Sequence, residues 1–203
     1  MGGSRTDHYR DFSIHTQTPR VTMKEDLMQL LSPVMIRYGT TDDAAMLSEF
    51  AAKAFYYTFA KDNIPENIAA YLKASFSPEI QFNELSASEN IFLIAETESR
   101  PIGYAQLVMD SKEESLQGTR SLEIRRIYAS PEHIGQGVGK ELMISSIQEA
   151  RQRGCDSIWL GVWEKNLRAI RFYKKWGFKE VGTHIFYVGD DPQRDFIMEL
   201  ALA

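Results

Sequence analysis

The chain has 203 residues, 43% hydrophobic and 25% charged, a composition typical of one globular domain. Its net charge of -5 disfavours a nucleic-acid partner, because phosphate binding needs clustered lysine and arginine, and favours a small cationic substrate. Cys155 is the only cysteine and no cluster of ligands has suitable spacing, so we expect no disulfide and no metal. No apolar run has the length of a membrane span, and we expect a cytoplasmic protein.

The first part of the chain predicts mainly helices. Residues 1–33 are expected to form a loosely held extension with a short helical patch, and residues 34–203 the folded domain. A strand at 34–38 precedes threonine and aspartate residues that can cap a helix running to about residue 60. Two more helices are predicted, one after Pro65 and one after Ser77, where Pro78 takes the first helical position.

The rest of the chain alternates strands with helices. Strands are predicted where β-branched and aromatic residues lie between turn residues, at 91–95, 102–108, 122–128, 157–162, 184–188 and 196–200. The first two form an antiparallel hairpin, and the last two are joined by a turn at 189–192. A helix at 137–153 connects the third strand to the fourth, which makes these two parallel, and a further helix runs from Asn166 to Trp176. The pattern predicts an α/β domain.

A glycine-rich turn at 134–140 lies between a strand and a well-formed helix. Unpaired N–H groups at such a helix start bind phosphate, and glycines let an anion approach the backbone and allow positive φ. A Walker loop is excluded because Ile134 and Glu141 occupy its glycine and serine or threonine positions. A Rossmann fingerprint is excluded because Lys140 stands where glycine or alanine is needed. A glycine-rich connection without a ligand is the alternative.

A second motif covers residues 163–178. Asn166 and Tyr173 are seven residues apart, two helical turns, so both can face the gap beside the sheet. The alternative is structural, with Asn166 as a helix cap and Tyr173 as a packing residue.

Together these motifs resemble the GCN5-related N-acetyltransferase (GNAT) superfamily. The turn at 134–139 is similar to its acetyl-CoA motif, Gln/Arg-x-x-Gly-x-Gly/Ala, although Ile134 replaces the usual Gln or Arg, and Asn166 and Tyr173 fit its second motif. The order of strands and helices agrees over about four fifths of the chain, which implies a mixed, twisted sheet of about seven strands with helices on both faces. Residues 158–166 and 186–190 are similar to PaiA-type acetyltransferases, which act on polyamines.

The resemblance implies how acetyl-CoA is bound. Its pyrophosphate would lie over the backbone N–H groups of residues 135–140, with Lys140 as a charge partner, and its pantetheine arm would pair with residues 127–129. The cofactor-binding residues implied are Ile127, Tyr128, Ala129, Ile134, Gly135, Gln136, Gly137, Val138, Gly139, Lys140, Asn166, Tyr173 and Lys175.

The implied reaction transfers an acetyl group to a primary amine, with a polyamine or another small cationic amine as the expected acceptor. Tyr173 resembles the family's general acid, and Glu123 is the expected base unless it is a surface residue paired with Arg125 or Arg126. His184 and His133 rank lower as bases because the sequence shows no partner for either. The alternatives are a peptide or protein N-acetyltransferase and a regulatory protein that binds acetyl-CoA without turnover. The assembly is left open, with a homodimer among the options.

Overall fold

The computed structural model describes residues 34–202, which form one mixed sheet of seven strands with five α-helices. The strands are β1 Met35–Tyr38, β2 Asn90–Thr97, β3 Arg100–Met109, β4 Ser121–Ala129, β5 Ser157–Trp163, β6 Lys179–Val188 and β7 Asp191–Ala201. The helices are α1 Ala44–Phe59, α2 Pro65–Ser75, α3 Pro78–Ser86, α4 Val138–Gln152 and α5 Leu167–Lys175. The predicted extension at 1–33 lies outside the described residues, so its boundary with the domain stays a prediction.

Local sequence signals explain where α3 and α5 begin and where α4 and α5 end. Ser77 accepts a hydrogen bond from the backbone N–H of Ile80 at 3.2 Å, and Pro78 follows it at the first helical position, as predicted. Asn166 caps α5 in the same way. Gly154 and Gly177 follow α4 and α5 with φ of 69° and 92°, a conformation in which glycine is favoured.

The sheet order is β1-β2-β3-β4-β5-β7-β6, and β4 with β5 is its parallel pair, as the sequence predicted. The last two strands are longer than predicted. β6 begins at Lys179 and β7 at Asp191, so the turn shrinks to Gly189 and Asp190. Pro192 pairs with Tyr187 near the start of β7, a position where a strand tolerates proline. The buried polar residues Gln193 and Asp195 hid the first half of β7 from a search for apolar alternation.

Helices cover both faces of the sheet, which confirms the expected fold class. In β2 the side chains of Ile91, Leu93 and Ala95 pack into one core, whereas those of Phe92 and Ile94 pack into the other. The first core contains residues of α4 and α5, and the second contains residues of α1 and α2 with Leu85 of α3. β2 is therefore buried on both faces, as its near-continuous run of apolar residues predicts.

β4 and β5 separate along their length. Their pairing begins at Ser121 with Ser157 and ends at Glu123 with Trp159. Just beyond, β4 bulges against β3, because Gln106 pairs with Arg126 and the next pair skips Arg125. A bulge bends its strand and increases the local twist. The two strands diverge here, and within residues 34–202 the β5-facing edge of β4 after Glu123 has no ladder partner.

Candidate active site

A cleft of about 680 Å³ opens where β4 and β5 separate. Its walls are supplied by β4, β5, the glycine-rich turn, α5, the β6–β7 hairpin and the ends of α1 and α2. The cleft has two walls, which we name after the ligands that the sequence predicts for them. The cofactor wall consists of residues 127–140 with α5. The acceptor wall consists of Glu123, Gly161, Trp163, the β6–β7 hairpin and the aromatic residues of α1 and α2.

The glycine-rich turn has the conformation that its sequence predicted. Gly135 and Gly137 have φ of 86° and 92°, in the left-handed region that glycine favours. A Cβ added at either position would meet no other atom within 4 Å, so these glycines leave open space in front of α4. The first N–H groups of α4, at residues 138–140, have no acceptor inside their helix. A turn of this kind suits an anionic diphosphate.

The side chains of the turn differ in whether they line the cleft. Ile134, Gly139 and Lys140 line the cleft, and the Lys140 ammonium, largely exposed, lies 3.6 Å from Glu141. The Gln136 side-chain amide donates to the carbonyl of Glu132 at 2.7 Å, and its backbone N–H donates to the carbonyl of His133 at 3.2 Å, so the structure does not support the predicted cofactor contact of Gln136. Val138 is buried in the core and can serve a ligand through its main chain.

Lys175 is not brought to the cleft. It is exposed in the last turn of α5, two residues and therefore about 200° around the helix from Tyr173. Asn166, Ala169 and Tyr173 supply the cleft-facing side of that helix instead. The geometry gives no support to the predicted cofactor contact of Lys175.

Asn166 and Tyr173 both line the cleft, so the predicted common face exists. The Asn166 amide oxygen also accepts from the backbone N–H of Ala169 at 3.2 Å, which makes this residue a helix cap and a cleft residue at once. Tyr173 is 8% exposed and packs against Phe172 and Phe178. Burial raises the pKa of Tyr173 above its usual value, so the phenol keeps its proton at neutral pH.

The edge of β4 completes the cofactor wall. Ile127, Tyr128 and Ala129 all line the cleft, and Ile127 and Ala129 pack towards the core under α4 and α5. Main-chain groups on an unpaired strand edge can bind an extended ligand as an added strand would. This is the segment where the sequence predicted the pantetheine arm.

Glu123 lies at the point where β4 and β5 part, with its side chain 13% exposed. Arg125 donates to its carboxylate at 2.8 and 3.4 Å. The two predicted descriptions of Glu123, a cleft carboxylate and a partner of arginine, are therefore compatible. Arg126 is engaged elsewhere, with Glu84 at 2.6 Å and Gln106 at 2.8 Å.

His184 has partners that the sequence did not reveal. Its Nε2 atom lies 3.9 Å from Oδ2 of Asp195, and its Nδ1 atom lies 3.6 Å from Oε2 of Glu113. Asp195 pairs with His184 across the β6–β7 hairpin, and both line the cleft. The predicted start of β7 at residue 196 left Asp195 out of the strand, which is why this pair was missed. His133 also lines the cleft and is hydrogen-bonded to Ser130 at 2.7 Å.

Aromatic side chains form most of the remaining acceptor wall. Tyr71 of α2 lies 5.5 Å from Phe186 of β6, and Phe59 of α1 lies 5.9 Å from Trp163 of β5, measured between ring centroids. These rings come from segments that are distant in the sequence, and only the packing of α1 and α2 on the sheet brings them together. Such a wall can contact methylene groups and, through its ring faces, cations.

Comparison with known proteins identifies the family. The family model described as acetyltransferase (GNAT) family matches residues 45–178. The chain belongs to this family. It is 33% identical over 159 residues to an uncharacterized N-acetyltransferase in the pepI 3' region of Lactobacillus delbrueckii subsp. lactis, covering 77% of this chain and 92% of that protein.

Two further similarities involve Thermoplasma acidophilum. The chain is 28% identical over 170 residues to a spermidine N(1)-acetyltransferase, covering 82% of this chain and 96% of that protein. The crystal structure of a PaiA N-acetyltransferase in complex with coenzyme A superimposes with a TM-score of 0.70 at 27% identity, covering 84% and 99% of the two chains. The predicted family and its PaiA-like character are confirmed.

Membership in the GNAT family makes this chain an N-acetyltransferase that uses acetyl-CoA as its acetyl donor. The cofactor wall fits that molecule, because its open glycine turn, free helical N–H groups and unpaired strand edge lie along one side of the cleft. Within residues 34–202, no group of three or more His, Cys, Asp or Glu side chains could hold a metal ion. No helix in that range is both long and apolar enough to cross a membrane, and the cytoplasmic location stays a prediction.

Proposed function

We propose that this N-acetyltransferase acetylates a primary amine of a small cationic acceptor, with a polyamine as the best candidate. The observation that carries the proposal is the acceptor wall, which combines the carboxylates of Glu123 and Asp195 with aromatic rings. Carboxylates attract ammonium groups, and aromatic faces bind both cations and methylene chains. Similarity to the spermidine N(1)-acetyltransferase of Thermoplasma acidophilum supports the same acceptor class.

Acetyl-CoA supplies an activated acetyl thioester to this reaction. In the proposed arrangement, the N–H groups of residues 137–140 hold its diphosphate, with Lys140 adding positive charge at the cleft rim. The main chain of residues 127–129 holds the extended arm and directs it towards the point where β4 and β5 part. Asn166 fixes the start of α5 and so sets the position of Tyr173.

The acceptor amine reacts only after losing the proton of its ammonium form. Glu123 is the proposed base and takes this proton directly or through one water, while Arg125 holds the carboxylate in place. Tyr173 is the proposed acid. The neutral amine then attacks the thioester carbonyl carbon, so that the C–N bond forms and the C–S bond breaks. Because burial raises the pKa of Tyr173, its phenol remains protonated and can donate to the sulfur as it leaves, and the phenolate regains a proton from the acylated nitrogen.

The experiment is an acceptor screen that measures release of free thiol from acetyl-CoA. Spermidine, other small amines and peptides with a free amino terminus are compared at equal concentrations. We expect the highest kcat/KM for spermidine and a decrease with added salt, because salt screens the long-range attraction between a cationic acceptor and the negatively charged protein during approach. Preference for peptides would contradict the acceptor class. Binding of acetyl-CoA without thiol release for any amine would contradict the proposal as a whole.

A further inference from the structure

Asp195 is a buried carboxylate with an unpaired oxygen. The residue is 9% exposed and lines the cleft, and its Oδ1 atom has no hydrogen-bond partner. Within residues 34–202 its ion-pair contact is His184, at 3.9 Å, and neither lysine nor arginine lies within 4.0 Å of it. A buried carboxylate oxygen without a donor is costly, so a cationic donor that entered through the cleft would stabilise Oδ1 of Asp195.

The residues around this carboxylate come from three strands and one loop. Asp195 on β7 is opposite His184 on β6, and both side chains lie over Gly161 of β5. A Cβ at Gly161 would approach Nε2 of His184 to 3.1 Å and Oδ2 of Asp195 to 3.5 Å, so the missing side chain makes room for the pair. Glu113, from the loop between β3 and β4, approaches the other side of the imidazole.

The charge of this cluster depends on His184. Among the described residues, the charged groups within 4.0 Å of its ring nitrogens are Asp195 and Glu113, and Gly161 of β5 lies beside the ring without a side chain. Asp195 raises the pKa of His184, partial burial opposes that rise, and Glu113 adds to it. A protonated imidazole cancels one of the two carboxylate charges, whereas a neutral one leaves both. The cluster therefore becomes more negative as the pH rises through the pKa of His184.

We infer that Asp195 binds the second ammonium group of a diamine or polyamine acceptor, and that His184 sets the strength of this subsite. The inference rests on the proposed function and adds a residue that distinguishes diamines from monoamines. Trp163, which pairs with Asp195 across the β5–β7 ladder, and Phe186 line the cleft beside it. Their rings can cover the methylene chain that joins the two amines.

The test compares two acceptors of similar length, putrescine and n-pentylamine. In n-pentylamine a methyl group replaces one of the two ammonium groups of putrescine. We expect the wild-type protein to prefer putrescine in kcat/KM by about 10- to 100-fold, the usual range for a hydrogen bond to a charged group. Asp195→Asn should remove this preference, mainly by raising KM for putrescine, and should leave n-pentylamine almost unchanged. The matched control is Asp190→Asn, at an exposed carboxylate in the β6–β7 turn, which should keep the wild-type preference.

A second variant gives an independent readout through pH. In the wild-type protein, KM for putrescine relative to n-pentylamine should fall as the pH rises through the pKa of His184. His184→Gln should keep a preference for putrescine but lose this pH dependence. Its thermal melting is compared with that of the wild-type protein to establish that the variant is folded. Equal losses for both amines in Asp195→Asn, or a wild-type protein with no preference, would overturn the subsite. If neither these amines nor spermidine were acetylated, the result would contradict the proposed function and, with it, the subsite.

Discussion

The two walls of the cleft are built by different means. The cofactor wall comes from one continuous segment, residues 127–140, which offers mainly main-chain groups, together with the facing side of α5. The acceptor wall is made of side chains from separate parts of the chain, among them Glu123, Tyr71, His184 and Asp195. Main-chain recognition suits a donor common to a whole family, whereas scattered side chains can change one at a time. The difference explains why the donor is easier to identify than the acceptor.

The walls also differ in charge. The cofactor wall offers Lys140 and the positive end of α4 to an anionic ligand. The acceptor wall offers Glu123 and Asp195, with Arg125 and His184 as neighbours that each offset part of the negative charge. Variants that act on one wall should therefore change the binding of one substrate and spare the other.

Gly137→Leu should have the largest effect, and on the cofactor wall alone. A side chain at this left-handed position would project into open space in front of α4 and hold a diphosphate away from the N–H groups. We expect acetyl-CoA affinity to fall by about 1000-fold, the loss of two or three charge-assisted hydrogen bonds. Isothermal calorimetry measures this directly.

The control for this variant is Gly154→Leu. Gly154 has φ of 69° and lies after α4, outside the cleft, so it carries similar backbone strain without a ligand. Each variant should lose about 1–2 kcal/mol of folding stability from that strain. Unchanged acetyl-CoA affinity in Gly137→Leu, with the stability loss alone, would show that the turn is only a connection.

Tyr173→Phe should come next and should separate catalysis from binding. Removing the phenol leaves the ring packing with Phe172 and Phe178 but removes the proposed proton donor. We expect kcat to fall about 100- to 1000-fold, within the range of general acid catalysis, while acetyl-CoA affinity changes little. Tyr187→Phe, at an exposed tyrosine of β6, is the matched control and should retain full activity. A wild-type kcat in Tyr173→Phe would assign the proton to another donor.

Glu123→Gln should reduce kcat by about 10- to 100-fold, because the amide keeps the shape of the side chain but cannot take the ammonium proton. Acetyl-CoA affinity should stay near the wild-type value, since Glu123 lies on the acceptor wall. Steady-state kinetics with spermidine measure the loss. Glu180→Gln, at an exposed glutamate of β6, controls for the change in net charge. If both variants behaved alike, the base would be another group or water.

The sequence predicted the fold and the conformation of the glycine-rich turn because their signals are local. Ser77 and Asn166 marked helix starts, and the glycines at 135 and 137 marked a left-handed turn before a helix. These features depend on neighbouring residues, so they can be recognised without knowing the packing. Lys175 shows that local patterns also fail within the cofactor wall, because its position around α5 directs it away from the cleft.

The acceptor wall could not be predicted in the same way. Asp195 faces the cleft only because of its register with His184, and that register follows from a β7 strand that begins at Asp191. Glu113 lies in a polar loop whose sequence gives no indication of a partner 71 residues away. Contacts of this kind depend on how strands and helices pack, and packing is what local patterns leave undetermined.

The smallest predicted effect is a pH dependence of folding stability that originates in the acceptor wall. Because the folded pKa of His184 is raised, the protonated ring stabilises the fold below its unfolded pKa, and this contribution is lost as the pH rises through the folded pKa. The side chain is 36% exposed, so solvent screening should limit the contribution to a few tenths of a kcal/mol. Denaturant unfolding of the wild-type protein and His184→Gln, at about pH 6 and about pH 9, measures it. The difference in unfolding free energy between the two proteins should shrink at the higher pH. A difference that grew would mean that the carboxylates around His184 do not raise its pKa in the folded state.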